Sequence, residues 1–267
     1  MDISLGWILY YVVAGLVTGF ISNITGLGGG IISVSVLTHA FYLQNLPKDE
    51  SYRIALATSA VLTLISSLSN AYFNFKKRNF KWKLVKRYFM YVFIGSTAGA
   101  TISHNIPIVE LKLIFIAICL MTVTKMFWQK KVTNQDKMTI PLEEKKTSGL
   151  LFGISGVISS LVSVGGGAIY VPLLNAHRIE MAQVVGTSSL LVLTTATGTI
   201  LGHAIGNINN HNVELIKLHI VVYMGIAVLI GSRAGALVLN RIPAKWIKIT
   251  FLAALITSMA KMAYGLI

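Results

Sequence analysis

The sequence predicts an all-α polytopic membrane protein built as two inverted repeats of five segments each, and three observations predict it. The 267-residue chain is 54% apolar and only 12% charged, against about 25% charged in an ordinary globular protein, and its mean hydropathy is +0.71. Apolar runs recur throughout, at Trp7 to Phe20, Ile54 to Phe73, Tyr88 to Ile102, Leu111 to Phe127, Val184 to Ile205, Leu218 to Leu239 and Ile249 to Ile267. The chain is also written twice, with an odd number of segments in each copy.

The first run carries no basic residue before it and no small-x-small cleavage site after it, so it reads as a retained membrane segment rather than a secretory signal. It leads into TGLGGGIISVSVL, Thr25 to Leu37, where three consecutive glycines interrupt apolar sequence. Each glycine costs a helix interior about 1 kcal/mol relative to Ala, so a break is expected there. SLVSVGGGAIYVPLL, Ser160 to Leu174, repeats the pattern, with Gly165, Gly166 and Gly167 standing for Gly28, Gly29 and Gly30.

The later segments match in the same order. IALATSAVL answers QVVGTSSLL, pairing Thr58 and Ser59 with Thr187 and Ser188, and GSTAGATISHNIP answers GSRAGALVLNRIP. This divides the chain into a first repeat, 1–127, a polar linker, 128–146, and a second repeat, 147–267. Five crossings per half force the second half to enter from the opposite side, as in many secondary transporters.

Loop charge follows the inversion. Lys76, Lys77, Arg78, Lys81, Lys83, Lys86 and Arg87 crowd the connection after the first Thr-Ser segment, whereas its counterpart, Gly206 to Lys217, has only Lys217. Basic residues collect on the cytoplasmic side, which places the linker inside the cell and both termini outside. The net charge of +14 therefore reads as membrane orientation and not as nucleic-acid binding. The segments flanking the glycines are too short to span a core that needs about 20 residues. They form either re-entrant hairpins or broken crossings, and in both cases the broken backbone must be buried in protein or line a polar cavity.

Glycines opening a helix leave amide hydrogens bare at the positive end of its dipole, which suits a small anion. Two such openings related by a pseudo-twofold axis would form an anion cage from Gly28, Gly29, Gly30, Gly165, Gly166 and Gly167. Asn23, Thr25, Thr58, Ser59, Ser163, Thr187 and Ser188, with Ser22, would add neutral donors. All nine acidic residues sit in termini, loops or segment ends, so no mid-membrane carboxylate is available for a cation. Arg233 is a candidate substrate-path cation and His39 and His203 are candidates for proton coupling; Lys261 reads as a snorkelling residue. The GSTAGA and GSRAGA stretches suit close helix contact.

Other functions find no support. GLGGGI follows no strand and lies in sequence apolar enough for a bilayer, unlike a dinucleotide site, and no HExxH or nucleophile–base set points to an enzyme. No cofactor or metal is expected. The lone Cys119 forms no internal disulfide and reads as a packing residue.

The paired GLGGG and VGGGAIYVPLL motifs, with the paired Thr-Ser blocks, resemble the TauE/SafE sulfite exporter family, also known as the toluene sulfonate uptake permease family, over nearly the whole chain. The resemblance implies a membrane carrier of sulfite, sulfoacetate or related sulfonates, often outward and proton-linked. It places the family's glycine motifs on 28–30 and 165–167 and its proline on Pro172. Ser35, where many members have proline, departs from the pattern. The alternatives are a passive anion channel and a carrier of another small anion such as a carboxylate. The partners expected are that anion and the lipid bilayer, with a homodimer left open.

Overall fold

The computed structural model describes residues 4–26, 28–76, 80–128, 148–175, 179, 181–208, 215–238 and 244–264. Every regular element among them is a helix. The first half of the chain supplies α1 (Leu5–Thr25), α2 (Gly30–Leu43), α3 (Lys48–Lys76), α4 (Trp82–Ser103) and α5 (Ile108–Trp128). The second supplies α6 (Ser148–Leu161), α7 (Gly167–Asn175), α8 (Met181–Ile208), α9 (Leu218–Val238) and α10 (Ala244–Tyr264). All of the linker except Trp128, together with Leu27, Lys77 and Arg78, lies outside the described residues.

Among the described residues four helices, α1, α3, α8 and α9, are long and apolar enough to cross a membrane. α2 and α6 are shorter apolar helices of 14 residues each, and α7 has 9. These short helices flank the two glycine motifs. The charged residues Glu50 and Glu110 fall in the first turns of α3 and α5, where the helix dipole favours them.

Small residues set the helix contacts. Gly15 and Gly19 of α1 lie against the backbone of Met224 and Val228 of α9, while Gly231 and Gly235 of α9 lie against Leu16 and Phe20 of α1. α4 packs on α6 in the same way, with Gly95 on Gly153, Gly99 on Val157 and Gly156 on Val92. The first helix of each half thus packs along the fourth helix of the other. Without a hydrophobic drive between helices in lipid, such backbone proximity is the main source of packing energy.

These contacts also fix running directions. Position 15 lies beside 224 and 19 beside 228, so α1 and α9 are parallel. Gly225 lies beside Ile65, and Ser232 bonds Ser69, so α9 and α3 are parallel too. α4 runs parallel to α6, and also to α8, where Gly198 meets Phe93 and Gly202 meets Thr97. Arg53, near the start of α3, donates to the carbonyls of Ser103 at 3.2 Å and Ile106 at 3.3 Å at the far end of α4, which makes α3 and α4 antiparallel. Hence α1, α3 and α9 run one way, and α4, α6 and α8 run the other.

One buried cluster contains Ile31 and Val34 from α2, Val162, Val164 and Ala168 around the second break, and Leu111 and Phe115 from α5. Large apolar side chains such as Leu9, Ile94, Ile226 and Ile230 face outward, as a lipid-facing surface requires. A methyl group on Gly19 or Gly95 would meet backbone. Gly19→Ala and Gly95→Ala are therefore expected to destabilise the protein by about 1–3 kcal/mol, measured as a lowered unfolding temperature in detergent, whereas the outward Leu9→Ala stays within about 0.5 kcal/mol.

Candidate functional site

α1 ends in a left-handed turn. Gly26 has φ 71° and its amide donates to the Ser22 carbonyl at 2.9 Å; Gly28 and Gly29 follow with φ 83° and 74°. The second break repeats this geometry with Ser163 at φ 51°, Gly165 at 82° and Gly166 at 79°. Ser163 thus occupies the position of Gly26, in a conformation that disfavours a side chain by about 1–2 kcal/mol.

The third glycine of each triplet has a different task. Gly30 and Gly167 begin α2 and α7 in helical geometry. A Cβ on Gly30 would stand 2.5 Å from the Ser163 carbonyl oxygen and 2.8 Å from the Val164 carbonyl group. The two breaks therefore meet backbone to backbone, one from each half of the chain. Gly28 sits between Thr63 of α3 and Val192 of α8, and Gly29 lies beside Thr18 and Ser22 of α1.

The meeting point is rich in donors. Among the described residues no hydrogen bond engages the amides of Gly28, Gly29 and Gly30 or of Gly165, Gly166 and Gly167. The first backbone bonds into the new helices are Ser33 N–H to the Gly29 carbonyl at 3.0 Å, and Ile169 and Tyr170 N–H to the Gly166 carbonyl at 2.9 Å. The buried hydroxyls of Thr18, Ser33 and Thr63 have no partner, nor has that of Ser159, whose carbonyl accepts the Val164 amide at 2.9 Å. An unpaired buried hydroxyl costs about 1–3 kcal/mol. Together these groups offer hydrogen bonds to an acceptor without a fixed charge.

Polar networks hold each break from behind. Ser22 Oγ meets Ser66 Oγ at 2.7 Å and accepts from the Asn70 amide at 3.1 Å. Asn23 donates to Asn70 Oδ1 at 2.7 Å and to Ser232 Oγ at 3.2 Å, which joins α1, α3 and α9. At the second break Ser163 Oγ lies 3.1 Å from His203 Nε2. The Tyr170 ring covers Gly166, and its hydroxyl meets Thr195 at 2.8 Å.

The remaining candidates fall elsewhere. Thr25 is half-buried and bonds its own helix at the Ile21 carbonyl. Thr58 accepts the Lys217 amide at 3.3 Å, and Thr187 accepts the Lys81 amide at 3.0 Å, so each holds the residue that opens a helix, α9 in one case and α4 in the other. Ser59 and Ser188 donate to carbonyls within their own helices, Ser188 with its Oγ near the Gly26 turn. His39 is half-buried on α2, Lys261 is half-buried on α10, and Arg233 is exposed near the end of α9. Among the described residues no group of three His, Cys, Asp or Glu side chains is placed to hold a metal.

Thr18, Ser33, Thr63 and Ser159 are absent from the set expected from sequence. The signal was helical spacing. Ser59, Thr63, Ser66 and Asn70 form a stripe at intervals of four, three and four along α3, and Thr18 and Ser22 form a shorter one along α1; such spacing puts residues on one face.

A family model described as sulfite exporter TauE/SafE matches residues 11–262. A probable membrane transporter protein of Methanocaldococcus jannaschii is 23% identical over 247 residues, covering 89% of this chain and 88% of that protein. A probable membrane transporter protein of Haemophilus influenzae is 28% identical over 185 residues, covering 68% of each chain. One from Bacillus subtilis is 26% identical over 238 residues, covering 86% of each. No solved structure matches.

Replacing an unpartnered buried hydroxyl by a methyl group of the same shape removes a desolvation cost. Thr63→Val and Thr18→Val are expected to unfold at the same or a higher temperature than the unaltered protein, by up to about 1–3 kcal/mol. A marked loss of stability in both would show that these hydroxyls serve the fold.

Proposed function

Because the chain belongs to the TauE/SafE sulfite exporter family of membrane transporters, we propose that it is a secondary transporter that moves a small sulfur-containing anion across the cell membrane by alternating access around its two glycine breaks. The observation that carries this reading is the meeting of Gly30 with Ser163 and Val164 amid bare amides and unpartnered hydroxyls. Amides and hydroxyls favour an oxyanion by hydrogen bonding and by the helix dipoles behind them. Neutral donors also hold it loosely enough to release, as transport requires. Sulfite, sulfoacetate or a related sulfonate is the proposed cargo, with export the proposed direction.

The running directions of the helices support an inverted pair of halves. α1 and α6, α3 and α8, and α4 and α9 oppose one another pairwise. An inverted pair lets one half rock against the other around a site at the interface. The side on which α3 ends, α4 begins and α9 ends carries Lys76, Lys81, Lys83, Lys86, Arg87 and Arg233, which supports assigning it to the cytoplasm and both termini to the outside.

A carrier and a passive pore differ in kinetics. In liposomes, sulfite flux is expected to saturate, and Thr63→Val combined with Ser33→Ala is expected to raise the half-saturating concentration about tenfold, equivalent to about 1.4 kcal/mol. Flux that grows linearly with concentration would instead indicate a channel. In cells, a cysteine at position 81 is expected to resist an impermeant reagent applied from outside; rapid labelling would reverse the assigned orientation.

A further inference from the structure

The support behind the second break differs chemically from that behind the first. In repeat register His203 stands where the first half has Asn74, and His104 stands where the second half has Asn240. Asn74 donates to the Asn70 carbonyl within its own helix at 2.9 Å. Its counterpart is part of a chain between helices: Ser163 Oγ lies 3.1 Å from His203 Nε2, and His203 Nδ1 lies 3.1 Å from His104 Nε2. The two rings meet edge to face with centroids 5.3 Å apart.

The chain connects two environments. His104 is half-buried in the turn that closes α4, whereas His203 is buried and Ser163 belongs to the break that touches Gly30. The groups facing His203 are His104 from the turn after α4, Arg53 from α3 and Ser163 from the break after α6; the titratable side chain on neighbouring α7 is Tyr170, bonded to Thr195. Arg53 is itself directed at the Ser103 and Ile106 carbonyls. Burial, with the Arg53 charge nearby, holds His104 below the ordinary histidine value.

Resting on the reading of the chain as an anion carrier, we propose that His104 and His203 form a proton-binding site that conducts a proton to the second glycine break and couples anion movement to proton movement. The proton adds to His104 Nδ1 from the aqueous rim. The Nε2 proton of His104 passes to Nδ1 of His203, and His203 then directs its own Nε2 proton at Ser163 Oγ. His104 ends neutral in its other tautomer, and buried His203 carries the positive charge only while an anion at the break offsets it. That charge lies behind the bare amides and makes their hold on an anion stronger. His203 then gives its Nε2 proton to Ser163 Oγ as the Ser163 hydroxyl proton passes to the bound anion, which leaves in protonated form; His203 is neutral again and the hold on the anion loosens. A second proton finds no place, because two doubly protonated rings leave no acceptor between them and set two cations beside Arg53.

Full-length protein in liposomes with radiolabelled sulfite separates the two ideas. Counterflow at equal pH on both sides reads the carrier alone, and accumulation driven by a pH gradient reads the coupling. His104→Asn, at the aqueous rim, is expected to keep counterflow within about threefold and to lose about tenfold or more of gradient-driven accumulation, within the usual range of coupling energies; His203→Asn is expected to lose the accumulation and to weaken counterflow as well. His39→Asn, away from the chain, keeps both. Undiminished gradient-driven accumulation in H203N and H104N overturns the proposal. So does loss of counterflow in both variants, which marks the pair as structural support.

Discussion

A helix interrupted inside a bilayer exposes amides that lipid cannot satisfy, and the architecture of this protein answers that constraint. Both interruptions are buried, both are turned by three residues in left-handed geometry, and they are brought against each other instead of against lipid. The glycines serve two distinct needs. Gly28, Gly29, Gly165 and Gly166 permit the backbone angles, while Gly30 permits the other half's backbone to approach.

Keeping two left-handed turns in register requires stiff surroundings. The glycine faces of α1 with α9 and of α4 with α6 bring backbones together with little freedom to slide, because each glycine is matched to a specific backbone group opposite. Asn23, Asn70 and Ser232 then tie α1, α3 and α9 at the level of the first turn. Every such bond joins the two halves or braces a break, so rocking one half against the other must change the shape of the meeting point.

Much of this was legible in the sequence. The duplicated glycine triplets marked both breaks, and the small-residue motifs marked the helix contacts at Gly95, Gly99, Gly231 and Gly235. The donors at the meeting point were less legible. Thr58 and Ser59 are neighbours in sequence but point about 100° apart on a helix, so a Thr-Ser pair does not present two hydroxyls to one site; Thr58 and Thr187 hold helix openings instead. Thr18 and Thr63 lie on polar stripes of their helices, where a hydroxyl bonded to its own helix is still the ordinary case, and Ser33 carries nothing in sequence that sets it apart from Ser35. Only the three-dimensional neighbourhood distinguishes them from Thr38, which does make that bond. Ser163 in a left-handed turn could be anticipated only from its alignment with Gly26.

The central claim is that the amides of the two glycine triplets, which meet no acceptor among the described residues, receive the anion directly. Solid-state NMR of the protein in lipid, with isotope-labelled glycine, reads those amides one by one during titration with sulfite. The account predicts saturable shifts at Gly28–Gly30 and Gly165–Gly167 together, with little change at the helix-contact glycines Gly15 and Gly95. Saturable sulfite binding that leaves both triplets unshifted would contradict it.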